Sequence, residues 1–134
     1  MMRAVADTNI LVSAAIAKGN QYLLLEKAKL GRFRLVISPQ IIAELKGVIS
    51  RPKFGFSNEQ VESVVKQILS ISELVMTTSK VDGVKNDPPD NRILEAAIDG
   101  KASYIVSGDK DLLRLKKFKG VKILTASKFL EKFR

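Results

Sequence analysis

The chain contains no cysteine and no histidine among its 134 residues. Without cysteine, disulfide frameworks and thiolate metal sites are excluded. Without histidine, Ser-His-Asp and Cys-His nucleophilic schemes are excluded, together with histidine general bases and the common zinc sites. Any hydrolytic chemistry in this chain must therefore use carboxylates, lysines, hydroxyls or a hard cation that is held by oxygen ligands.

Long apolar runs are missing as well. No stretch approaches the length needed to cross a bilayer, and the N-terminus lacks a basic region followed by an apolar segment and a cleavage site. With 46% hydrophobic residues, the chain has the length and composition of one globular domain, which we expect to span residues 1–134. A cytoplasmic protein that does not contact membranes is the expectation.

Acidic residues are scarce relative to basic ones, 14 against 23, which gives a net charge of +9. The asymmetry is concentrated in residues 100–134, which hold ten basic and three acidic residues. Such a segment favours a polyanionic partner, with nucleic acid as the obvious candidate. The alternative is a lysine-rich solvated surface without a partner.

Strand and helix patterns alternate along the chain. Strands are predicted for the apolar run before Asp7 and for residues 33–37, 74–76, 104–107 and 121–124. Helices are predicted after Thr8-Asn9, over 21–31, 39–49, 91–99, 110–115 and 127–133, and after the capping-box pattern at residues 57–60. A loop is predicted over 79–89. The alternation indicates an α/β fold, a three-layer αβα sandwich whose central parallel sheet is covered on both faces.

Two candidate acids follow predicted strands. Asp7 ends the first strand, and Asp109 comes just after the strand over 104–107, with Asp111 two residues further on. In an open α/β sheet, ligands bind at the carboxyl ends of the strands. The alternative is that these aspartates only cap the helices that follow them.

Two further acids share the apolar stripe of a predicted helix. Glu44 lies among Ile41, Leu45 and Val48, and Asp90 lies on the side of Ile93 and Leu94. An inward carboxylate is costly unless it is paired, protonated or bound to a cation. For Glu44 the alternative is a position at the edge of the stripe. For Asp90 the alternative is a role as a helix cap. If the helix begins earlier, Asp87 replaces Asp90 as the candidate acid.

If these carboxylates converge, one or two divalent cations would relieve their repulsion. Magnesium or manganese prefers carboxylate and water oxygens and can complete its shell with substrate phosphate. The hypothesis that follows is metal-dependent cleavage of a phosphodiester. Its phosphate contacts would come from the basic C-terminal segment, including Lys110, Arg114, Lys116 and Lys117.

Four segments in order resemble a PIN domain: Asp7-Thr8-Asn9, Ser38-Pro39 leading to Glu44, Asp87-Pro88-Pro89-Asp90-Asn91, and Ser107-Gly108-Asp109-Lys110-Asp111-Leu112. The likeness is to prokaryotic single-domain PIN proteins related to the VapC ribonucleases, which are regarded as toxins of toxin–antitoxin pairs. It covers essentially the whole chain.

The resemblance implies a flavodoxin-like sheet and a magnesium- or manganese-dependent endoribonuclease, often a homodimer, that a cognate antitoxin inhibits. It implies that Asp7, Glu44, Asp90 and Asp109 form the catalytic and metal-binding quartet, with Asp111 as a fifth ligand. Asn9 and Ser107 match residues that orient the acids.

Two other functions stay open at this point. In the first, the acids are caps and the chain is a non-catalytic module that binds nucleic acid or a protein partner. In the second, Asp7 is a phosphoryl-transfer nucleophile, which is disfavoured because Asn9 stands where such enzymes carry a second aspartate. Phe54, Phe56 and Phe129 belong either to a dimer or antitoxin surface or to the core.

Overall fold

The computed structural model describes residues 1–84 and 87–134, in which the strands form one six-stranded sheet. The strands are β1 (Arg3–Ala6), β2 (Arg34–Ile37), β3 (Ser72–Leu74), β4 (Tyr104–Val106), β5 (Lys117–Phe118) and β6 (Val121–Leu124). Their spatial order is β3-β2-β1-β4-β6-β5. Every neighbouring pair is parallel except β5 with β6. The predicted α/β fold with a mostly parallel sheet is confirmed, whereas the antiparallel edge strand β5 was not predicted.

Helices flank this sheet. They are α1 (Thr8–Ile16), α2 (Asn20–Lys29), α3 (Pro39–Ile49), α4 (Asn58–Ser70), α5 (Pro88–Asp99), α6 (Lys110–Leu115) and α7 (Ala126–Leu130), with 3-10 turns at Pro52–Phe54 and Glu131–Phe133. No helix within residues 1–84 and 87–134 has both the length and the apolar character that a membrane crossing requires. The strand centres are buried, and together with the apolar faces of the helices they form a continuous core.

Capping residues set where several helices begin. The Ser38 hydroxyl accepts a hydrogen bond from the Ile41 N–H, and Pro39 follows at the first position of α3, where a missing N–H costs nothing. Ser57 and Gln60 form a reciprocal capping box at the start of α4. These local signals are present in the sequence, which is why these two helices begin where they were predicted.

Two elements begin two or three residues earlier than predicted. Helix α5 begins at Pro88 rather than at residue 91, because Asp87 caps it and proline is tolerated in a first turn. Strand β3 lies two residues before the predicted 74–76, since its register with β2 pairs Ile37 with Leu74. Of the two alternatives for Phe129, the core is correct, because its side chain is fully buried. Of the predicted loop over 79–89, residues 85 and 86 lie outside the described residues.

The C-terminus of α5 packs very closely on β2 at Gly100. A Cβ atom at this position would lie 2.5 Å from Val36 Cγ1 and 2.7 Å from the Ala96 carbonyl oxygen. The Gly100 carbonyl also accepts a hydrogen bond from Arg3 Nε at 2.8 Å. Only glycine fits this contact without displacing the strand or the helix.

The chain reverses its direction across the sheet between β1 and β4. From β1 the connections through β2 and β3 extend to one side, whereas β4 lies on the other side of β1. At such a switch point the connecting helices diverge and leave a crevice outside the carboxyl ends of the two strands. The residues that follow β1 and β4 therefore meet at this crevice.

Candidate active site

Asp7 lies directly after β1, and both carboxylate oxygens have partners. Oδ1 accepts a hydrogen bond from the Ile10 N–H at 2.9 Å, which makes Asp7 the N-cap of α1. Oδ2 accepts a hydrogen bond from the Ser107 hydroxyl. The side chain is buried, and its backbone N–H donates to the Val106 carbonyl at 3.0 Å. The cap interpretation is therefore correct, but it accounts for one oxygen of a carboxylate that also faces the residue after β4.

Ser107 connects Asp7 to Asp109. Its hydroxyl donates to Asp7 and accepts a hydrogen bond from the Asp109 N–H at 2.9 Å. Asp109 in turn caps α6, because its Oδ1 accepts hydrogen bonds from the N–H groups of Asp111 and Leu112 at 2.7 and 3.2 Å. The fully buried serine thus fixes the two strand-end aspartates relative to each other.

Glu44 on α3 and Asp90 on α5 join these aspartates in one small cavity of about 30 Å³. The structure brings together the four acids that the sequence singled out and places Asn9 beside them. The lining residues are Asp7, Thr8, Asn9, Glu44, Pro89, Asp90, Ile93 and Asp109. A volume of this size holds about one water-sized group.

Burial and neighbouring charges raise the pKa of two of these acids, Asp7 and Asp90. Burial raises the pKa of Asp7, the hydrogen bonds from Ser107 and Ile10 oppose that shift, and the charges of Asp109 and Glu44 add to it. The pKa of Asp90 is raised to about 7, first by burial and then by the charges of Asp109 and Asp87. A carboxyl group with such a pKa favours either a proton or a cation at neutral pH.

Asp87 and Asp111 lie at the rim of the cluster. One carboxylate oxygen from each of Asp87, Asp90 and Asp111 lies within 4.8 Å of the others. Asp87 caps α5 through the Asp90 N–H at 3.2 Å. Asp90 lines the cavity together with the strand-end acids, and Asp87 is not among the residues that line it.

Two buried polar atoms in this cavity have no hydrogen-bond partner. They are Thr8 Oγ1 and Asp90 Oδ2, and no other buried side-chain nitrogen or oxygen in residues 1–84 and 87–134 lacks a partner. An unpaired buried oxygen costs free energy unless a water or an ion meets it. Because all side-chain donors here are oxygens, the residues fit a hard divalent cation such as magnesium or manganese.

The basic residues predicted to contact nucleic acid are all exposed. They are Lys110 and Arg114 on α6 and Lys116 and Lys117 after it. Arg114 also forms an exposed ion pair with Asp111 at 3.3 Å. Lys117 lies directly opposite Lys122 in the β5–β6 pair, so two positive charges face each other at this edge of the sheet.

Two features were not predicted from the sequence. One is that Thr8 lines the cavity, and the other is that α5 has a buried polar face. Thr8 stood inside the motif that carried Asp7, but its hydroxyl was not considered as a ligand. Asn91 and Glu95 are buried, at 5% and 3% exposure, and the sequence analysis predicted neither of them as a buried residue. Their partners lie in an irregular segment that has no periodic signal.

Comparison with known proteins gives a family and a fold. A family profile described as "PIN domain" matches residues 3–111. The crystal structure of VapBC2 from Rickettsia felis, bound to a DNA fragment from the promoter, contains a similar chain with 25% identity and a TM-score of 0.65, over 91% of this chain and 97% of that one. PAE2754 from Pyrobaculum aerophilum has a similar fold, with 16% identity and a TM-score of 0.61, over 98% and 88% of the two chains. No curated protein sequence matches the chain significantly.

Proposed function

Because the chain belongs to the PIN domain family, we propose that it is a metal-dependent endoribonuclease that hydrolyses phosphodiester bonds in RNA. PIN domains are generally nucleases, and the likeness to a chain of the VapBC2 complex supports a place among the toxin–antitoxin nucleases. The proposed domain is the whole chain, residues 1–134, since β5 and β6 complete the sheet beyond the matched residues 3–111.

The observation that carries the proposal is the convergence of Asp7, Glu44, Asp90 and Asp109 on one cavity at the switch point of the sheet. Caps alone do not account for it, since neither Glu44 nor Asp90 caps a helix. The unpaired Asp90 Oδ2 and the raised pKa of Asp90 are both relieved by a cation. We therefore assign Asp7, Glu44, Asp90 and Asp109 as catalytic ligands of magnesium or manganese, with Asp111 as a further ligand at the rim.

Each residue around the cavity has a separate task in this proposal. A bound cation would polarise the phosphodiester, lower the pKa of an attacking water and stabilise the leaving oxygen. Ser107 holds the Asp7 carboxylate in place, and Asn9, which is exposed beside the acids, would help to orient the cluster. No lysine or arginine lines this cavity, so either protons or a cation must balance the negative charge of the four acids.

Basic side chains would hold the RNA backbone next to these acids. Lys110 and Arg114 lie on the helix that Asp109 caps, and Lys116 and Lys117 follow it. Lysine and arginine contacts to phosphate fix the position of a nucleic acid without reading its sequence, and they weaken as salt increases. The proposed substrate is therefore RNA that is recognised mainly through its phosphates.

A cognate antitoxin and a homodimer complete the proposal. The similar structure from Rickettsia felis is that of VapBC2 bound to a DNA fragment from their promoter. By analogy we propose that this chain is the toxin component of such a pair and that a second protein restrains its activity. Copurification from the native cell tests for this partner, and the mass of the purified chain in solution tests for the dimer.

Cleavage of single-stranded RNA in the presence of manganese tests the catalytic assignment. We expect the wild type and the Asp82→Asn control, which alters an exposed acid outside the cavity, to cleave RNA. We expect Asp7→Asn and the wild type in EDTA to be inactive. Activity that persists in Asp7→Asn with saturating EDTA would contradict the proposal.

Calorimetry with manganese separates this proposal from a non-catalytic binding module. A nuclease site should bind the ion, and Asp7→Asn and Asp90→Asn should each weaken binding. A module whose acids only cap helices should show no carboxylate-dependent binding, although it would still bind RNA through its lysines. Salt-sensitive RNA binding without ion binding would favour the module.

A further inference from the structure

We propose that Asn91 is a positioning residue, which holds the first turn of α5 so that the Asp90 carboxylate points into the cavity. The inference rests on the proposed function, because it concerns a ligand of the proposed cation. Asn91 itself is not among the residues that line the cavity. Its effect on the ion would pass through the backbone of α5.

Polar side chains on one face of α5 form hydrogen bonds with backbone groups of residues 78–84, a segment that we call the strap. Asp99 accepts hydrogen bonds from the N–H groups of Thr78 and Ser79 at 2.7 and 2.9 Å. One helical turn earlier, Glu95 accepts a hydrogen bond from the Val81 N–H at 3.1 Å. These residues and Asn91 recur every four positions, so the strap runs along one face of α5 towards its N-terminus.

Asn91, nearest the N-terminus of α5, contacts the strap through two hydrogen bonds to the same residue. Its Oδ1 accepts a hydrogen bond from the Val84 N–H at 2.9 Å, and its Nδ2 donates one to the Val84 carbonyl at 2.8 Å. The Val84 carbonyl also accepts a hydrogen bond from the Asp87 N–H at 3.3 Å, and the Asp87 carbonyl accepts one from the Asn91 N–H at 3.1 Å. The amide side chain therefore ties the end of the strap to the first turn of the helix.

Asp90 depends on this turn for its orientation. Its Oδ2 has no hydrogen-bond partner among the described residues, and its backbone N–H donates to Oδ1 of Asp87, the cap of the same helix, at 3.2 Å. No residue of the opposite wall holds the Asp90 side chain through a hydrogen bond in the described part of the chain. The contacts that fix the backbone at Asp87 and Asn91 therefore determine the direction of the Asp90 carboxylate.

The test measures manganese affinity in the full chain by calorimetry. Asn91→Leu keeps much of the buried volume but can neither donate to nor accept from Val84. We expect it to weaken the manganese Kd by about 10-fold or more, as loss of a group that orients a metal ligand does. The matched control is Asp99→Ala, which releases the other end of the strap, and its Kd should stay near the wild-type value.

Each outcome of this titration decides a different statement. Unchanged affinity in Asn91→Leu overturns the positioning role. Equal weakening in Asn91→Leu and Asp99→Ala also overturns it, because the strap would then act only as a general support. A wild type that binds no manganese removes the proposed metal site, and the inference falls with it.

A measurement on the wild type keeps the inference testable if Asn91→Leu does not fold. If the ion binds only when Asn91 holds the first turn of α5, bound manganese disfavours opening of this contact. Manganese at 100 times its Kd should then slow amide hydrogen exchange at Val84 by about 100-fold. Exchange at Thr78, at the far end of the strap, should change much less. Equal exchange at Val84 with EDTA and with manganese would overturn the inference.

Discussion

Replacing Asp90 with asparagine should stabilise the metal-free protein at neutral pH, although it removes a proposed cation ligand. In the folded chain the pKa of Asp90 is raised from 3.8 to about 7, because burial and the charges of Asp109 and Asp87 disfavour its ionised form. The unfolded chain has no such environment. Ionising this carboxyl therefore costs free energy in the folded state that asparagine does not cost.

The pH window follows from the two pKa values. Between pH 4 and pH 7 the folded chain holds a proton on Asp90 that the unfolded chain has lost, so the free energy of unfolding falls as the pH rises. A difference of three pKa units corresponds to at most about 4 kcal/mol at 1.36 kcal/mol per unit. Because the cavity opens to solvent, we expect about 2 kcal/mol to be realised.

Urea denaturation in EDTA at pH 5, 6, 7 and 8 measures this effect. The wild type should lose stability across the series, whereas Asp90→Asn should lose less and should exceed the wild type at pH 8. The control Asp82→Asn alters an exposed acid and should follow the wild-type profile. Saturating manganese should reverse the ranking at pH 8, since an ion that binds only the folded wild type stabilises it.

Two results would refute this reasoning. The first is a metal-free wild type whose stability is constant or increases from pH 5 to pH 8. The second is an Asp90→Asn variant that is less stable than the wild type at pH 8 in EDTA. Either result would mean that the cavity does not destabilise the ionised carboxyl, and the strongest physical argument for a bound cation would be lost.

Three other substitutions test separate parts of the structure. Gly100→Ala should destabilise the fold by about 1–3 kcal/mol in urea denaturation, because its Cβ would overlap Val36 and the Ala96 carbonyl; an unchanged midpoint would contradict the close packing of α5 on β2. Phe129→Ala should cost about 3–5 kcal/mol in the same assay, because this ring is fully buried, whereas a surface role predicts almost no loss. Ser107→Ala removes the hydrogen bond that lowers the pKa of Asp7, so protons should compete better with the cation for this carboxylate. Calorimetry should therefore show manganese binding weakened more at pH 6 than at pH 8. Equal weakening at both pH values would argue against this role.

The sequence was sufficient where local chemistry decides the structure. Ser38-Pro39 and the capping box at Ser57 specify helix starts through contacts within four residues. The candidate acids could be found because each stood at the end of an apolar strand or on an apolar helix face. Alternating strands and helices predict a parallel sheet, but that Asp7 and Asp109 meet also requires β1 and β4 to be neighbours, which the sequence left as a condition.

The parts that sequence reasoning missed depend on contacts between distant segments. Strand β5 has two residues, too few for a periodic pattern, and it exists because it pairs with β6. The buried Asn91 and Glu95 bind backbone groups of the strap, and Glu95 also forms an ion pair with Arg92. An irregular partner such as the strap leaves no signal in hydrophobic periodicity. The sequence singled out Asp90 for the cluster but left Asp87 open as a replacement, because two prolines obscured the start of α5.

The facing lysines of β5 and β6 have a consequence for how copies of this protein meet. Lys117 lies opposite Lys122 at the open margin of the sheet, and like charges in this arrangement weaken the strand pair that carries them. The same charges would repel any further strand that approached this margin, including one from another copy of the chain. The two lysines thus lower local stability slightly but protect the protein from aggregation through edge-to-edge strand pairing. Concentrated salt should diminish that protection, because it screens the repulsion between charges.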